Sequence, residues 1–137
     1  MSDVTLGQRD RIAIRELTAS YNRLFDAGDA DRWVETFVPH GELVAGDDSY
    51  AGHEELAGFC SERGGQFHHL TTDPEIDAAG DRAVQRCSLL LYSTVDDDVA
   101  LVGIGRYFDE LIRISTGWRF LRRTVDLKRA NKLRAVS

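Results

Sequence analysis

The 137-residue sequence contains little cysteine and little proline and has no long apolar run. It has two cysteines, Cys60 and Cys87, which fit neither a disulfide scaffold nor a zinc-ligand spacing. No apolar run approaches the roughly 20 residues of a membrane-spanning helix, and the N-terminus lacks the basic start and apolar core of a secretory signal. Basic residues are outnumbered, because 17 Lys and Arg against 23 Asp and Glu give a formal net charge of −6. We therefore expect a cytoplasmic protein that binds neither nucleic acid nor membranes.

The amino-acid composition is typical of a globular protein. Hydrophobic residues make up 42% of the sequence and charged residues 29%, which is typical of a packed domain. The length suits one domain, and the sequence shows no repeat, low-complexity tract or linker. We expect a single domain over residues 1–137, with its core at about 7–127 and a C-terminal tail at 128–137.

The first half of the sequence has apolar residues at helical spacing. Gly28 is a natural stop for a first helix, and Asp29 or Asp31 could cap a second helix that ends before Pro39. The predicted elements are a helix from about Gly7 to Ala27, a short helix carrying Trp33 and Phe37, a hairpin at Glu42–Tyr50, and a third helix over residues 52–63 (GHEELAGFCSER).

The second half is rich in β-branched and aromatic residues and is divided by compact turn signals at 78–81, 96–98 and 115–117. Strands joined by short turns form an antiparallel meander. The order of elements predicts an α+β fold, in which three helices lie on one face of a curved antiparallel sheet and enclose a pocket. The predicted strands are Gln66–Asp77, Arg82–Val95, Val99–Ser115 and Trp118–Leu127.

The alternation of side chains along Val99–Ser115 raises a question about Arg106. The even positions are the more apolar, so we expect them to form the inner face of the sheet, with Arg106 among them. A buried arginine needs a carboxylate or an anionic ligand. The alternative is that only its stem packs, while its charged head reaches the rim.

Asp26 is the first candidate for chemistry. It lies in the last turn of the predicted first helix, where the negative end of the helix dipole disfavours a carboxylate. Burial against an apolar pocket would make it a usable general base. The alternative is a solvated aspartate in the turn F-D-A-G-D. Tyr21 precedes Asp26 by five residues on the same helix, and a tyrosine on an apolar stripe is usually a core residue.

His68 and His69 are the second candidate. Adjacent residues on a strand face opposite sides, so at most one of these histidines points into a pocket. No further metal-binding motif accompanies them, so we expect no metal site. One histidine could be a core residue and the other exposed, or one could pair with Asp26, which would orient the ring and stabilise its protonated form.

Five segments, taken in chain order, resemble the SnoaL-like proteins of the nuclear transport factor 2-like superfamily of cone-shaped, cystatin-like α+β folds. The resemblance extends from about Asp10 to Val125. The segments are AIRELTASYNRLFDAGD, DRWVETF, HHLTTDPEI, GRYFDEL and GWRFLRR.

The resemblance implies an activity and a set of catalytic residues. Scytalone dehydratase and bile-acid 7α-dehydratase in this superfamily use an aspartate and a histidine in the cone, at positions that match Asp26 and His69, and a tyrosine that matches Tyr21. It thus implies a cofactor-independent lyase that removes a proton beside a leaving group, usually with loss of water. The substrate would be a mostly apolar, oxygenated ring compound such as a steroid or polyketide, and the Tyr21 hydroxyl would donate a hydrogen bond to the developing enolate or to the departing hydroxyl group.

The same resemblance leaves other functions open, because one superfold hosts many activities. A ketosteroid-type isomerase, a polyketide cyclase and a non-catalytic ligand-binding or assembly domain are the alternatives. We expect Arg106 to orient a polar substituent or to balance Asp26, and we expect a homodimer. The expected apolar wall residues of the pocket are Trp33, Phe37, Phe59 and Phe108.

Overall fold

The computed structural model describes residues 6–130, so most of the expected tail (131–137) lies outside the described residues. The elements are α1 (Leu6–Asp26), α2 (Ala30–Trp33), a 3₁₀ turn (Val34–Thr36), β1 (Phe37–Ala45), β2 (Asp48–Ala51), α3 (Gly52–Arg63), β3 (His68–Ala79), β4 (Arg82–Val95), β5 (Asp98–Ile114) and β6 (Gly117–Arg129). The α+β class, the three helices and the curved sheet are confirmed.

The second helix is shorter than the sequence suggested. Asp29 caps it by accepting a hydrogen bond from the backbone N–H of Arg32 at 3.2 Å. The α-helix ends at Trp33, and Phe37 already belongs to β1. Pro39 therefore interrupts a strand and not a helix. It lies where the register between β1 and β6 shifts, a place where a residue without an N–H is tolerated.

The sheet has six strands in the order β2-β1-β6-β5-β4-β3. The meander from β3 to β6 is antiparallel throughout, as the turn signals predicted. The expected antiparallel sheet carries one exception, because β1 pairs in parallel with β6 and makes the sheet mixed. This pairing joins strands from opposite ends of the chain, and local turn patterns carry no signal for such a pairing.

The inner face of β5 is the odd face, so the expected orientation of Arg106 was wrong. Tyr107, Asp109 and Leu111 are buried, whereas Arg106 and Phe108 are on the exposed face. The odd positions read as polar because they include Asp109. That carboxylate is neutralised inside the protein by Arg123 of β6, a partner that the alternation within one strand does not reveal.

The close approach of β5 to β6 depends on Gly105. A Cβ at this position would collide with the backbone oxygen of Asp126. Gly105 faces the inner side, where a larger side chain would push the strands apart. The spaced glycines of V-G-I-G-R-Y are thus explained by strand packing.

An aromatic cluster fills the end of the molecule where α1 and α2 meet the sheet. The rings of Tyr21, Trp33 and Phe37 are almost completely buried and lie with their centroids 5.2–6.1 Å apart. Phe120 of β6 packs against Tyr21 and Phe37. The cluster is a core and not the wall of an open cavity.

Candidate active site

The end of α1 and the start of β3 are brought together by a glycine pair. Gly65 N–H donates to the backbone oxygen of Phe25 at 2.9 Å, so the loop after α3 packs directly on the last turn of α1. At Gly64 a Cβ would lie only 3.0 Å from that same oxygen, so a larger residue does not fit. Because β3 begins three residues after Gly65, this contact places His69 beside Asp26.

Asp26 and His69 are joined by two hydrogen bonds. Oδ1 of Asp26 lies 2.7 Å from Nδ1 of His69, and Oδ2 accepts a hydrogen bond from the backbone N–H of His69 at 3.0 Å. A carboxylate only accepts hydrogen bonds, so it favours the tautomer with its proton on Nδ1 and leaves Nε2 as the basic nitrogen. No described residue is a hydrogen-bond partner of Nε2. The side chains are 9% exposed for His69 and 19% for Asp26.

The imidazole of His69 is held between aromatic rings. Its centroid lies 5.1 Å from that of Phe25 and 6.3 Å from that of Tyr21, both in edge-on arrangements. Tyr21 itself is 2% exposed, and its hydroxyl bonds to Tyr107. Burial raises the pKa of Tyr21, and this effect outweighs the nearby Arg123 guanidinium. Tyr21 therefore lies behind His69 and supports its ring.

A cavity of about 640 Å³ opens in front of the pair, between α1 and strands β3 and β4. This volume is within the range of small-molecule sites. One face of α1 supplies Arg15, Asn22 and Arg23 together with Asp26, and the sheet supplies Thr71 and Gln85 together with His69. The wall is thus more polar than the sequence suggested.

None of the expected wall residues lines this cavity. Trp33 and Phe37 are in the aromatic core, and Phe59 packs between Trp33 and Tyr50. Helical spacing identifies an apolar face but does not distinguish a core residue from a cavity wall. On the opposite side of the sheet, Arg106 and Phe108 border a separate groove of about 440 Å³.

Asn22 and Gln85 are site residues that the sequence analysis missed. Asn22 donates from Nδ2 to Oγ1 of Thr71 at 2.9 Å, which ties α1 to β3 inside the cavity. Its position four residues before Asp26 is the signal that could have identified it, because residues i and i+4 share a helix face. No such signal marks Gln85, because only the packing of β4 in the folded protein shows that this polar residue lies on the inner face.

A buried ion pair lies next to the cavity. Nε of Arg123 donates to Oδ1 of Asp109 at 2.9 Å, and both side chains are completely buried. Burial acts to lower the pKa of Arg123, but Asp109, together with Tyr107, Tyr21 and Cys87, outweighs burial and raises the pKa above its usual value. The guanidinium also stacks 3.5 Å above the centroid of Tyr107. The buried arginine of this sheet is Arg123, whereas the sequence pattern had indicated Arg106.

Among residues 6–130, no group of three or more His, Cys, Asp or Glu side chains could hold a metal ion. No helix in that range is long and apolar enough to cross a membrane. His68, the neighbour of His69, is exposed and stacks on Tyr92, and both residues border the same cavity, whereas the ring of His69 is held by Asp26.

Known proteins share this fold. The SnoaL-like domain family matches residues 8–124, whereas no curated protein matches the sequence. A nuclear transport factor 2-like protein with a cystatin-like fold from Novosphingobium aromaticivorans is 27% identical, with a TM-score of 0.79 over 93% of this chain and 85% of that one. A Mycobacterium tuberculosis protein of unknown function is 23% identical, with a TM-score of 0.82 over 94% of this chain and 78% of that one.

A further N. aromaticivorans structure, provisionally named scytalone dehydratase, is 20% identical with a TM-score of 0.76, and the match covers 100% of both chains. At this identity the likeness concerns the fold. The family match covers most of the sequence, and the helices and curved sheet agree with it. The chain therefore belongs to the SnoaL-like domain family, within the nuclear transport factor 2-like superfamily.

Proposed function

We propose that this protein is a cofactor-independent lyase of the dehydratase type, acting on an oxygenated ring compound such as a steroid or polyketide. The observation that carries the proposal is the 2.7 Å contact between Nδ1 of His69 and Oδ1 of Asp26 at the wall of a cavity. A carboxylate in this position keeps Nε2 unprotonated and stabilises the imidazolium that forms when Nε2 takes a proton.

The reaction needs a substrate with a ring carbonyl and a hydroxyl group on the β carbon. Nε2 of His69 removes the proton from the α carbon, and the carbonyl accepts the electrons as an enolate. The enolate then expels the β hydroxyl, which leaves as water after taking the proton back from the imidazolium. The products are a conjugated ring ketone and water, and the histidine returns to its starting state.

Tyr21 enters this proposal as a positioning residue. The sequence analysis assigned its hydroxyl to the enolate or the departing hydroxyl group, but in the structure that hydroxyl bonds to Tyr107. The ring of Tyr21 lies perpendicular to the imidazole of His69, with the two centroids 6.3 Å apart. It therefore fixes the ring orientation that the Asp26 carboxylate also selects.

The first step can be tested without knowing the natural substrate. In D₂O, a general base in the cavity exchanges the α protons of cyclic ketones, and NMR measures this rate for a panel of ring ketones and their β-hydroxy analogues. We expect His69→Ala to abolish exchange and elimination. The matched control is His40→Ala, which removes an exposed imidazole that does not line the cavity and should retain the rates.

The results separate the competing functions. Exchange with loss of the β hydroxyl supports the lyase. Exchange with migration of a double bond and no elimination would indicate an isomerase that uses the same base. If folded His69→Ala keeps the wild-type rate, or if the wild-type protein binds ring compounds but exchanges none, the catalytic proposal is wrong and the domain is a binding protein.

A further inference from the structure

Gln85 is a buried amide on the wall of the cavity that contains Asp26 and His69. It lies on the inner face of β4 and is 0% exposed. A buried amide normally satisfies both its oxygen and its nitrogen. In Gln85 only the nitrogen is satisfied, because Oε1 has no hydrogen-bond partner among the described residues.

Neighbouring groups fix the orientation of this amide. Its Nε2 donates to Oδ2 of Asp109 at 2.8 Å and to Oγ1 of Thr18 at 3.0 Å. The Thr18 hydroxyl has already given its own hydrogen to the backbone oxygen of Ile14 at 3.0 Å, so it can only accept from Gln85. Reversing the amide would place its oxygen against two other oxygens. The unpartnered atom is therefore an acceptor.

The acceptor is supported by the ion pair behind it. Arg123 holds the Asp109 carboxylate at 2.9 Å, and that carboxylate holds Gln85. This buried arrangement restricts rotation of the amide, so Oε1 is preorganised for a ligand. Asn22, also on the cavity wall, has an unpartnered Oδ1 as well. Its single bond to the Thr71 hydroxyl permits either amide orientation, so Gln85 is the more informative residue.

We propose that Gln85 is a specificity residue that recognises a hydroxyl group on the bound ring compound. The hydroxyl would donate to Oε1 and supply the partner that the protein does not provide. This inference rests on the proposed function only in taking the same cavity as the substrate site. The substrate class is thereby narrowed to ring compounds with a free hydroxyl, or an equivalent donor, in addition to the group that reacts at His69. An ether or a carbonyl oxygen at that position is rejected, because two acceptors would face each other.

The test uses ligand binding and does not depend on catalysis. 2-Naphthol and 2-methoxynaphthalene have the same ring system, but only the first can donate a hydrogen bond. We expect the wild-type protein to bind 2-naphthol about 10-fold more tightly in an NMR titration, the usual effect of one buried hydrogen bond. The side-chain amide signals of Gln85 should shift with 2-naphthol only.

The variant Gln85→Met removes the acceptor while keeping a side chain of similar length, and we expect it to bind both ligands equally. Gln66→Met is the matched control, because Gln66 is exposed, lies outside the cavity and should keep the 10-fold preference. Equal affinities in the wild-type protein would overturn the inference, even if Gln85→Met does not fold. A preference that survives in folded Gln85→Met would also overturn it. Neither result depends on whether His69 acts as a base.

Discussion

Asp26 makes both of its hydrogen bonds to one residue, His69. Oδ1 lies 2.7 Å from the ring nitrogen Nδ1, and Oδ2 lies 3.0 Å from the backbone nitrogen. The same carboxylate thus fixes the start of β3 and selects the tautomer of the imidazole. A single substitution at Asp26 can therefore change which nitrogen of His69 is basic while leaving the residue in place.

We expect Asp26→Asn to lower the rate of proton removal by about 10²–10⁴-fold, with the fold retained. An asparagine fills the same space, but its amide can donate to Nδ1, which moves the ring proton to Nε2 and removes the base. The ¹⁵N chemical shifts of His69 report the tautomer directly.

Asp29→Asn is the matched control for this change. Asp29 is the N-cap of α2, and asparagine caps a helix about as well as aspartate. Asp29 is not among the residues that line the cavity. The proposed role of Asp26 would be contradicted if Asp26→Asn kept the wild-type rate, or if Asp29→Asn lost activity to the same extent.

The buried ion pair between Asp109 and Arg123 should make the sheet sensitive to the loss of either partner alone. Removing one partner leaves the other buried charge unpaired, so we expect Arg123→Met to lower the free energy of unfolding by about 3–5 kcal/mol. Urea unfolding measures this loss. The double variant Arg123→Met/Asp109→Leu should recover much of it, because no charge is left unpaired. Arg122→Met breaks only a pair with Glu42 in which the Arg122 side chain is 52% exposed, and it should cost less than about 1 kcal/mol.

Alkaline pH should weaken the protein before it affects the surface charges. Burial, and secondarily Asp29, raises the pKa of the Cys60 thiol from 9.0 to about 11, and burial also raises the pKa of Tyr107. The native state thus keeps protons that the unfolded chain releases. Stability is fully present below pH 9 and falls as the pH rises toward 11.

Urea unfolding at pH 8, 9 and 10 measures this decline. The Cys60→Ala variant should show a shallower dependence on pH, because it lacks one of the retained protons. In native protein at pH 8, Cys60 should resist alkylation, since it is buried and only about a thousandth of the thiol is ionised. Rapid alkylation of the native protein, or identical pH slopes for the two proteins, would contradict this explanation.

The outer face of the sheet has an aliphatic row suited to the expected dimer. Leu70, Leu90 and Ile104 are neighbours across three strands and are 57%, 37% and 53% exposed. In the next row, Arg106 pairs in register with Asp126, so opposite charges are available for a two-fold contact between copies. We expect Ile104→Glu to convert a dimer into a folded monomer in sedimentation experiments. A wild-type monomer would refute the expected dimer, and an unchanged dimer in Ile104→Glu would place the interface elsewhere.

The local parts of the fold were predictable because local patterns specify them. Helical spacing and the stop at Gly28 located α1 to within one residue at each end. The third helix begins and ends where the sequence analysis placed it, at Gly52 and Arg63. Turn signals correctly divided the second half into four antiparallel strands. The pairing of Asp26 with His69 was also foreseen, because the resemblance to the SnoaL-like proteins pointed to these two residues.

Only the tertiary structure decided what surrounds that pair. The parallel pairing of β1 with β6, the burial of Asp109 and the orientation of Gln85 all depend on partners far apart in the chain. Alternation along one strand shows that it has two faces, but the face that is buried depends on charge neutralisation by another strand. The sequence by itself thus determined most of the elements and the candidate base, whereas long-range packing determined the cavity wall and left the amide oxygen of Gln85 without a partner among the described residues.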